Sequence, residues 1–108
     1  MSRILTWYFG NRDEQPSYYM ERDYTLLDLR IMAEIVPVGD GLSIDIRADG
    51  VSVLTDSANL PKGQTIEPYA NDFPEETVIS EGAVVTCHVL ETNGANKITV
   101  QLEMESIE

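Results

Sequence analysis

An alternating pattern of apolar and polar residues runs from Tyr24 to the C-terminus, and Gly, Pro, Asn and Asp interrupt it at short intervals. The alternation is clearest over residues 27–35, 42–47 and 98–105. Successive side chains of a β-strand point to opposite faces, so each run can turn one side toward a core and the other toward solvent. No helical period accompanies this pattern. The sequence therefore predicts a small all-β fold of the sandwich type.

Chain length and cysteine content indicate one domain with its own core. The chain has 108 residues, 43% of them hydrophobic, and a chain of this size buries roughly two thirds of its unfolded surface. Its single cysteine, Cys87, cannot form an internal disulfide. The neighbouring Val85 and Val89 place Cys87 on an inward strand face, as a small buried hydrophobic residue. We therefore expect a core that needs no disulfide, metal or cofactor.

Turn signals divide the region after Tyr24 at intervals of about ten residues, a spacing typical of sandwiches and barrels. We predict an antiparallel β-sandwich of eight strands, seven of them in a domain at residues 24–108 and one in a short N-terminal arm or first strand at residues 1–23. The predicted strands lie at residues 3–9, 24–36, 41–48, 51–55, 64–67, 76–80, 83–92 and 97–105.

The turn sequences predict how these strands are connected. Asp49-Gly50 favours a type I′ hairpin, because both central positions of that turn need positive φ. Residues 93–96 are interpreted in the same way, as a hairpin between the last two long strands, and residues 37–41 close the first long strand. Hairpins imply antiparallel pairing. The longer connections at 56–63 and 68–74 are predicted to cross between sheets.

The N-terminal 23 residues differ from the rest of the chain. Residues 3–9 can form a strand with large apolar side chains, residues 10–17 resemble a polar loop, and residues 18–23 can be extended or a single helical turn. Two roles stay open, an additional strand of the sheet or an arm exchanged onto a partner. The aromatic residues can likewise serve the protein's own core, a subunit interface or a ligand platform. The residues predicted to form an arm interface are Arg3, Trp7, Tyr8, Phe9, Arg12, Tyr18 and Tyr19.

The net charge limits the kinds of partner that this protein is expected to bind. The formal net charge is −12, from 7 basic and 19 acidic residues, and such a surface repels phosphate backbones and anionic lipids. We expect no nucleic-acid or membrane partner. Arginines of the N-terminal segment could pair with an acidic neighbour, including a second copy of the chain. The sequence shows neither a long apolar run nor a signal peptide, so we expect synthesis in a cytoplasm.

No group of residues predicts catalysis. His88, the single histidine, lies on the outward face of its strand, and no cationic sequence neighbour activates Cys87. Asp40, Asp45 and Asp49 could crowd at one end of the sandwich and hold calcium, but acidic residues at hairpin ends commonly serve turn geometry. We expect a protein that is not an enzyme and has no catalytic, cofactor-binding or metal-binding residues.

Four segments resemble small jelly-roll domains of tailed-bacteriophage virion proteins. A hairpin with Asp-Gly, a connection with Lys-Gly, a short strand and two long strands joined by a Gly-containing turn follow one another in the same order. The segments are Gly41–Leu54, Leu60–Thr65, Val78–Val89 and Lys97–Leu102. The resemblance implies that the eight strands form a jelly-roll-like β-sandwich. It also implies a building block of capsid decoration, neck, baseplate or fibre proteins, often trimeric, with no catalytic residues to carry over.

The resemblance and the surface charge together lead to one expected function. We expect a non-enzymatic capsid decoration or cement protein, a homotrimer that binds the major capsid protein or other virion proteins and stabilises the shell. It would reside in the virion after assembly in the host bacterial cytoplasm. The alternative is a tail, fibre, neck or baseplate component, or a receptor-binding module. In that case Tyr69 and Phe73 would form a ligand loop.

Overall fold

The computed structural model describes residues 2–10, 15–54, 58–61, 63, 66–68 and 77–107. Within these residues the chain forms ten β-strand segments and no helix. The segments are β1 (Ser2–Phe9), β2 (Tyr18–Tyr19), β3 (Tyr24–Ile35), β4 (Leu42–Ala48), β5 (Val51–Ser52), β6 (Ala58–Leu60), β7 (Ile66–Pro68), β8 (Val78–Ile79), β9 (Val84–Glu91) and β10 (Asn96–Ser106).

The strands form two antiparallel sheets. Sheet A has the order β1-β10-β3-β7, with β8 also paired to β3, and sheet B has the order β2-β9-β4-β5, with β6 also paired to β4. Strand β10 occupies one side of β3, so β7 and β8 are successive parts of one edge strand on the other side. By the same reasoning β5 and β6 share one position beside β4. Ten segments thus fill eight strand positions, and the predicted all-β sandwich is confirmed.

The pairing is nested from the two ends of the chain inward. β1 pairs with β10, β2 with β9, β3 with β7 and β8, and β4 with β5 and β6. A long antiparallel ribbon folded over on itself has this pattern, which is that of a jelly roll. Two further pairs, β10 with β3 and β9 with β4, join the folded ribbon into sheets.

The N-terminal segment supplies two of the eight positions. β1 lies along β10 from end to end, and β2 pairs with the start of β9. Of the two roles left open by the sequence, the structure shows the additional strand. Residues 18–19 and 58–60 were not predicted as strands, because two or three residues are too few to display an alternation.

The hairpin predicted at Asp49-Gly50 is correct, and the hairpin predicted at residues 93–96 is not. Asp49 and Gly50 have φ of 51° and 83°, and they join the paired strands β4 and β5. Asn93 and Gly94 have similar φ values of 45° and 84°, yet the strands that they join, β9 and β10, lie in different sheets. The hairpin prediction for residues 93–96 is therefore wrong, because a local turn reverses the chain without selecting the neighbour of each strand.

The sequence also predicted the connections between the two sheets only in part. Residues 36–41 join β3 to β4 and thus link the two sheets, whereas the sequence suggested a simple strand closure. A crossing was predicted at residues 56–63. The first part of that range contains β6, which pairs with β4 in sheet B, and the chain passes to sheet A between β6 and β7. The predicted crossing at 68–74 is wrong, since the strands on either side of it, β7 and β8, both pair with β3.

The core lies between the inner faces of the two sheets. The alternation predicts nine inward-facing residues, of which Val89 is partly buried and the other eight are buried. Those eight are Leu29, Ile31, Ile44, Ile46, Val85, Cys87, Val100 and Leu102. A bulge in the pairing of β3 with β10 interrupts the alternation at Leu27, which is 41% exposed, while Leu26 and Leu29 on either side are buried. The largest fully buried side chains are Leu5, Trp7, Met20, Leu29, Ile31, Leu42, Ile44, Ile46, Leu60, Ile79, Ile98 and Leu102.

Candidate protein interface

The edges of the two sheets formed by β1 and β2 meet on one side of the sandwich, where aromatic side chains close the gap between them. Trp7 is fully buried, and its ring meets that of Tyr18 edge to face, with centroids 5.4 Å apart. The Trp7 indole Nε1 donates to the carbonyl of Pro16 at 2.9 Å, and the Tyr18 hydroxyl donates to the carbonyl of Thr6 at 2.7 Å. Both polar groups are therefore satisfied within the chain.

Arg3 also bridges the edges formed by β1 and β2. Its Nη1 donates to Glu21 Oε2 at 2.7 Å and to the carbonyl of Tyr19 at 3.2 Å. The guanidinium carbon also lies 5.9 Å from the ring centroids of Tyr18 and Tyr24. The pKa of Glu21 is lowered, chiefly by a hydrogen bond from Tyr24 and by a backbone hydrogen bond, with smaller effects of nearby arginines. Arg3 is thus bound internally rather than displayed to a partner.

The predicted arm residues divide into a buried and an exposed group. Trp7 lies in the core, and Phe9 and Tyr18 pack against it. Tyr8 is 54% exposed on the outer face of sheet A, and Tyr19 is 61% exposed on the outer face of sheet B. These two residues are the members of the described set that a partner could contact most fully. The remaining predicted site residues, Arg12, Tyr69 and Phe73, lie outside the described residues.

Ile4 belongs to the same surface and was not predicted. It is 52% exposed on the outer face of β1, opposite Glu103 on β10, and Tyr8 lies opposite Thr99. Both faces of β1 carry apolar residues, so alternation alone does not say which set is buried. Apolar residues on both faces of β1 were the sequence signal for an exposed apolar surface, since one of the two faces has to meet solvent or a partner.

The backbone of β1 is open along part of its free edge. The Gln15 side chain hydrogen-bonds both the N–H and the C=O of Tyr8, so these groups point away from β10. Because such groups alternate along an antiparallel strand, those of Ile4 and Thr6 also point away from β10. Tyr18 occupies the carbonyl of Thr6. The N–H of Thr6 and both backbone groups of Ile4 have no protein partner within the described part of the chain.

A second polar cluster lies on the outer face of sheet B. Asp45 is only 7% exposed, accepts from Ser52 Oγ at 2.6 Å and forms an ion pair with Arg47 Nε at 3.0 Å. Its cross-strand neighbour His88 lies with Nε2 2.9 Å from Thr86 Oγ1. The carboxylate oxygens of Asp45 are both used by these partners. We interpret the cluster as a structural link between β4 and β5.

The acidic residues considered for calcium are used separately. Asp49 Oδ1 accepts from the N–H of Val84 at 3.0 Å, and Asp45 is held by Arg47. In the part of the chain that the structure describes, no three His, Cys, Asp or Glu side chains are grouped closely enough to hold a metal ion. Cys87 is buried, and burial together with the nearby Asp45 carboxylate raises the pKa of its thiol. That thiol therefore stays protonated, and the thiolate needed for nucleophilic attack is disfavoured.

A cleft of about 480 Å³ opens beside β9, beyond the residue that pairs with Tyr18 at the start of β2. Its walls come from the end of β1, residues 15–16, the middle of β9 and the first residues of β10. His88 and Thr86 contribute its polar groups on β9, and Phe9 and Ile98 its apolar surface. Polar and apolar side chains both line the cleft, and none of the described residues that line it is Asp, Glu, Lys or Arg.

Comparisons with known proteins add no family to this description. No model of a protein family matches the chain, and the curated proteins contain no significant match. The resemblance to phage jelly-roll domains stays a prediction. Among the described residues, no helix is long and apolar enough to cross a membrane.

Proposed function

We propose that this protein is a non-enzymatic structural protein of a tailed-bacteriophage virion, a capsid decoration or cement subunit that binds the capsid surface as a homotrimer and stabilises the shell. The observation that carries the proposal is the exposed surface along β1 and β2. There Ile4, Tyr8 and Tyr19 are exposed near the open part of the β1 edge, while the neighbouring Trp7 is buried and Arg3 is paired with Glu21. Exposed aromatic side chains on a well-anchored strand suit a protein contact.

The charge of the chain supports a protein partner over nucleic acid. A net charge of −12 would repel the packaged genome and favours a position on the outside of a shell. The jelly-roll fold supports the proposal only as an analogy, because one fold serves many functions.

The N-terminal segment has to be tested by surface substitutions and not by truncation. Deleting residues 1–12 would remove β1 and Trp7 from the core, so a loss of binding would report unfolding. We instead choose Tyr8→Ser and Tyr19→Ser, which change exposed side chains. Val38→Ser, an exposed apolar residue in the connection between β3 and β4, is the matched control.

The experiment uses the phage that encodes this chain. Its gene is deleted, and particles are heated while DNA release is recorded. Purified protein added back should bind the particles that lack it and raise the temperature at which they release DNA. The Tyr8→Ser/Tyr19→Ser double variant should bind with lower occupancy, and Val38→Ser should match the wild type. Particles that neither contain nor bind the protein would refute the proposed function.

Two measurements fix the oligomeric state and the position. Light scattering after gel filtration should give three times the 12.1 kDa chain mass, about 36 kDa, and a 12 kDa species would refute the trimer. Cryo-electron microscopy of whole particles should place its density on the capsid. Density on the tail, neck, baseplate or fibre would favour the alternative function, as would glycan-array binding that is lost in Tyr69→Ala or Phe73→Ala.

A further inference from the structure

β1 is the one long regular edge strand among the described residues. It has eight residues, no proline and an unbroken register with β10. In the part of the chain that the structure describes, the other three edges consist of pieces of two or three residues, and β7 ends at Pro68. Short or proline-ended edges are devices that prevent strand addition, and a long regular edge lacks that protection.

The open part of this edge is confined to Ser2–Thr6. At its other end Gln15 occupies both backbone groups of Tyr8, and Tyr18 occupies the carbonyl of Thr6. The N–H and C=O of Ile4 and the N–H of Thr6 remain available within the described part of the chain. These are the groups that a neighbouring strand would use.

The charge beside this edge selects the kind of strand that would fit. On β10, Glu103 lies opposite Ile4 and Glu105 lies opposite Ser2, both on the outer face of sheet A. Glu103 is only partly neutralised, by Arg30 at 3.6 Å. A second copy of this chain paired edge to edge at β1 would bring the same acidic side chains, Glu103 and Glu105, to this edge. Basic residues on the added strand would instead be attracted.

We propose that the Ser2–Thr6 edge of β1 binds an extended segment of a partner protein that contains Lys or Arg, and that this segment joins sheet A as an additional strand. The inference rests on the proposed function, because it names the surface through which the protein would be held on a particle. Side chains on the outer face of the added strand would contact Ile4. Long basic side chains would reach toward Glu103, two strand spacings away, or roughly 10 Å.

The probe is a library of random eight-residue peptides selected on the purified full-length protein. Enriched peptides should combine β-branched residues with Lys or Arg, and their binding should shift the amide resonances of Ile4 and Thr6. Ile4→Pro and Thr6→Pro each remove a backbone N–H that points away from β10, so no hydrogen bond to β10 is lost. An edge strand tolerates proline at such positions. Each should weaken binding by roughly tenfold, since one hydrogen bond is lost and the ring obstructs the approach.

Controls separate a lost site from a lost fold. Both proline variants should keep the circular dichroism spectrum and cooperative unfolding of the wild type, and Val38→Ala should bind the peptides as the wild type does. Glu103→Gln should weaken binding of the basic peptides and leave the fold unchanged.

Several results would overturn the inference. They are failure to enrich any peptide, enriched peptides without excess basic residues, and equal binding to the folded proline variants. Self-association that is lost in Thr6→Pro would identify a second copy as the occupant and also overturn it. If the protein still binds its particles while any of these holds, the proposed function stands and only this edge is excluded.

Discussion

The rings of Trp7 and Tyr18 meet edge to face at 5.4 Å, with their planes at 82°, although the two residues belong to different sheets. Each side chain also donates a hydrogen bond to a backbone carbonyl near the other. Trp7 donates to Pro16, two residues before Tyr18, and Tyr18 donates to Thr6, the residue before Trp7. Aromatic pairs of this geometry add stability beyond the area that they bury. The contact therefore ties the edges of the two sheets together at the side where the sandwich would otherwise open.

Replacing Trp7 should destabilise the whole domain. Trp7→Ala removes a fully buried aromatic ring and leaves a cavity, so we expect the free energy of unfolding to fall by about 3–5 kcal/mol. Urea unfolding followed by circular dichroism measures the change. Tyr8→Ala, at the exposed neighbouring position, should stay within about 0.5 kcal/mol of the wild type. Equal effects of the two substitutions would show that β1 does not contribute to the core in solution.

The Tyr18 hydroxyl should have a smaller and separable effect. Tyr18→Phe keeps the ring against Trp7 and removes only the hydrogen bond to the Thr6 carbonyl. We expect a loss of about 0.5–1.5 kcal/mol in the same unfolding measurement. Tyr19→Phe on the exposed neighbour is the control. A loss as large as that of Trp7→Ala would mean that the hydroxyl supports more than this one contact.

Two glycines with the same backbone conformation should respond differently to alanine. Gly41 and Gly50 have φ of 88° and 83°, so alanine is strained at either position. A Cβ at Gly41 would also collide with the carbonyl oxygen of Leu60, whereas a Cβ at Gly50 would meet open space. We expect Gly50→Ala to cost about 1 kcal/mol from strain and Gly41→Ala to cost more, by about 1–3 kcal/mol. Thermal unfolding of both variants decides, and equal melting temperatures would contradict the predicted collision.

Alternation predicted the sandwich and most of its core because the side-chain period of a strand is a local property. It failed at Leu27, where a bulge adds one residue and turns a leucine outward. It also could not show that the Asn93-Gly94 turn links two sheets. The partners of β9 and β10 are strands far away in the sequence, and no local pattern records that choice.

The candidate interface was predictable only in outline. The aromatic N-terminal segment stands out in the sequence, but Trp7 and Tyr8 are adjacent large residues with opposite fates, one in the core and one exposed. Their separation depends on the register of β1 with β10. The open backbone of Ile4 depends in addition on Gln15 and Tyr18, whose hydrogen bonds to β1 no spacing in the sequence reveals.

Asp45 should stabilise the domain through its two partners. The carboxylate is nearly buried and accepts from Arg47 and Ser52, so Asp45→Ala leaves a partly buried guanidinium unpaired and a hydroxyl without its acceptor. We expect a loss of about 1–3 kcal/mol in urea unfolding. Glu34→Ala, which removes an exposed carboxylate 3.9 Å from Lys97, should change the stability by less than about 0.5 kcal/mol. Similar losses in the two variants would argue against a structural role for the Asp45 cluster.

The Cys87 thiol should make stability depend on pH in the alkaline range. Burial raises its pKa in the folded protein above the ordinary value of 9.0, and the Asp45 carboxylate adds to the shift. The folded state therefore holds the thiol proton more tightly than the unfolded state does. This contribution is fully present below about pH 9 and is lost as the pH rises from there toward the folded-state pKa, by up to about 1.4 kcal/mol per pH unit. Other groups titrate in the same range, so the informative quantity is the difference between wild type and Cys87→Ala, measured by urea unfolding at several pH values. The wild type should lose its advantage over Cys87→Ala progressively above pH 9. A difference that stays constant across this range would show that the thiol is solvated in the folded protein and that β9 does not bury Cys87 in the core.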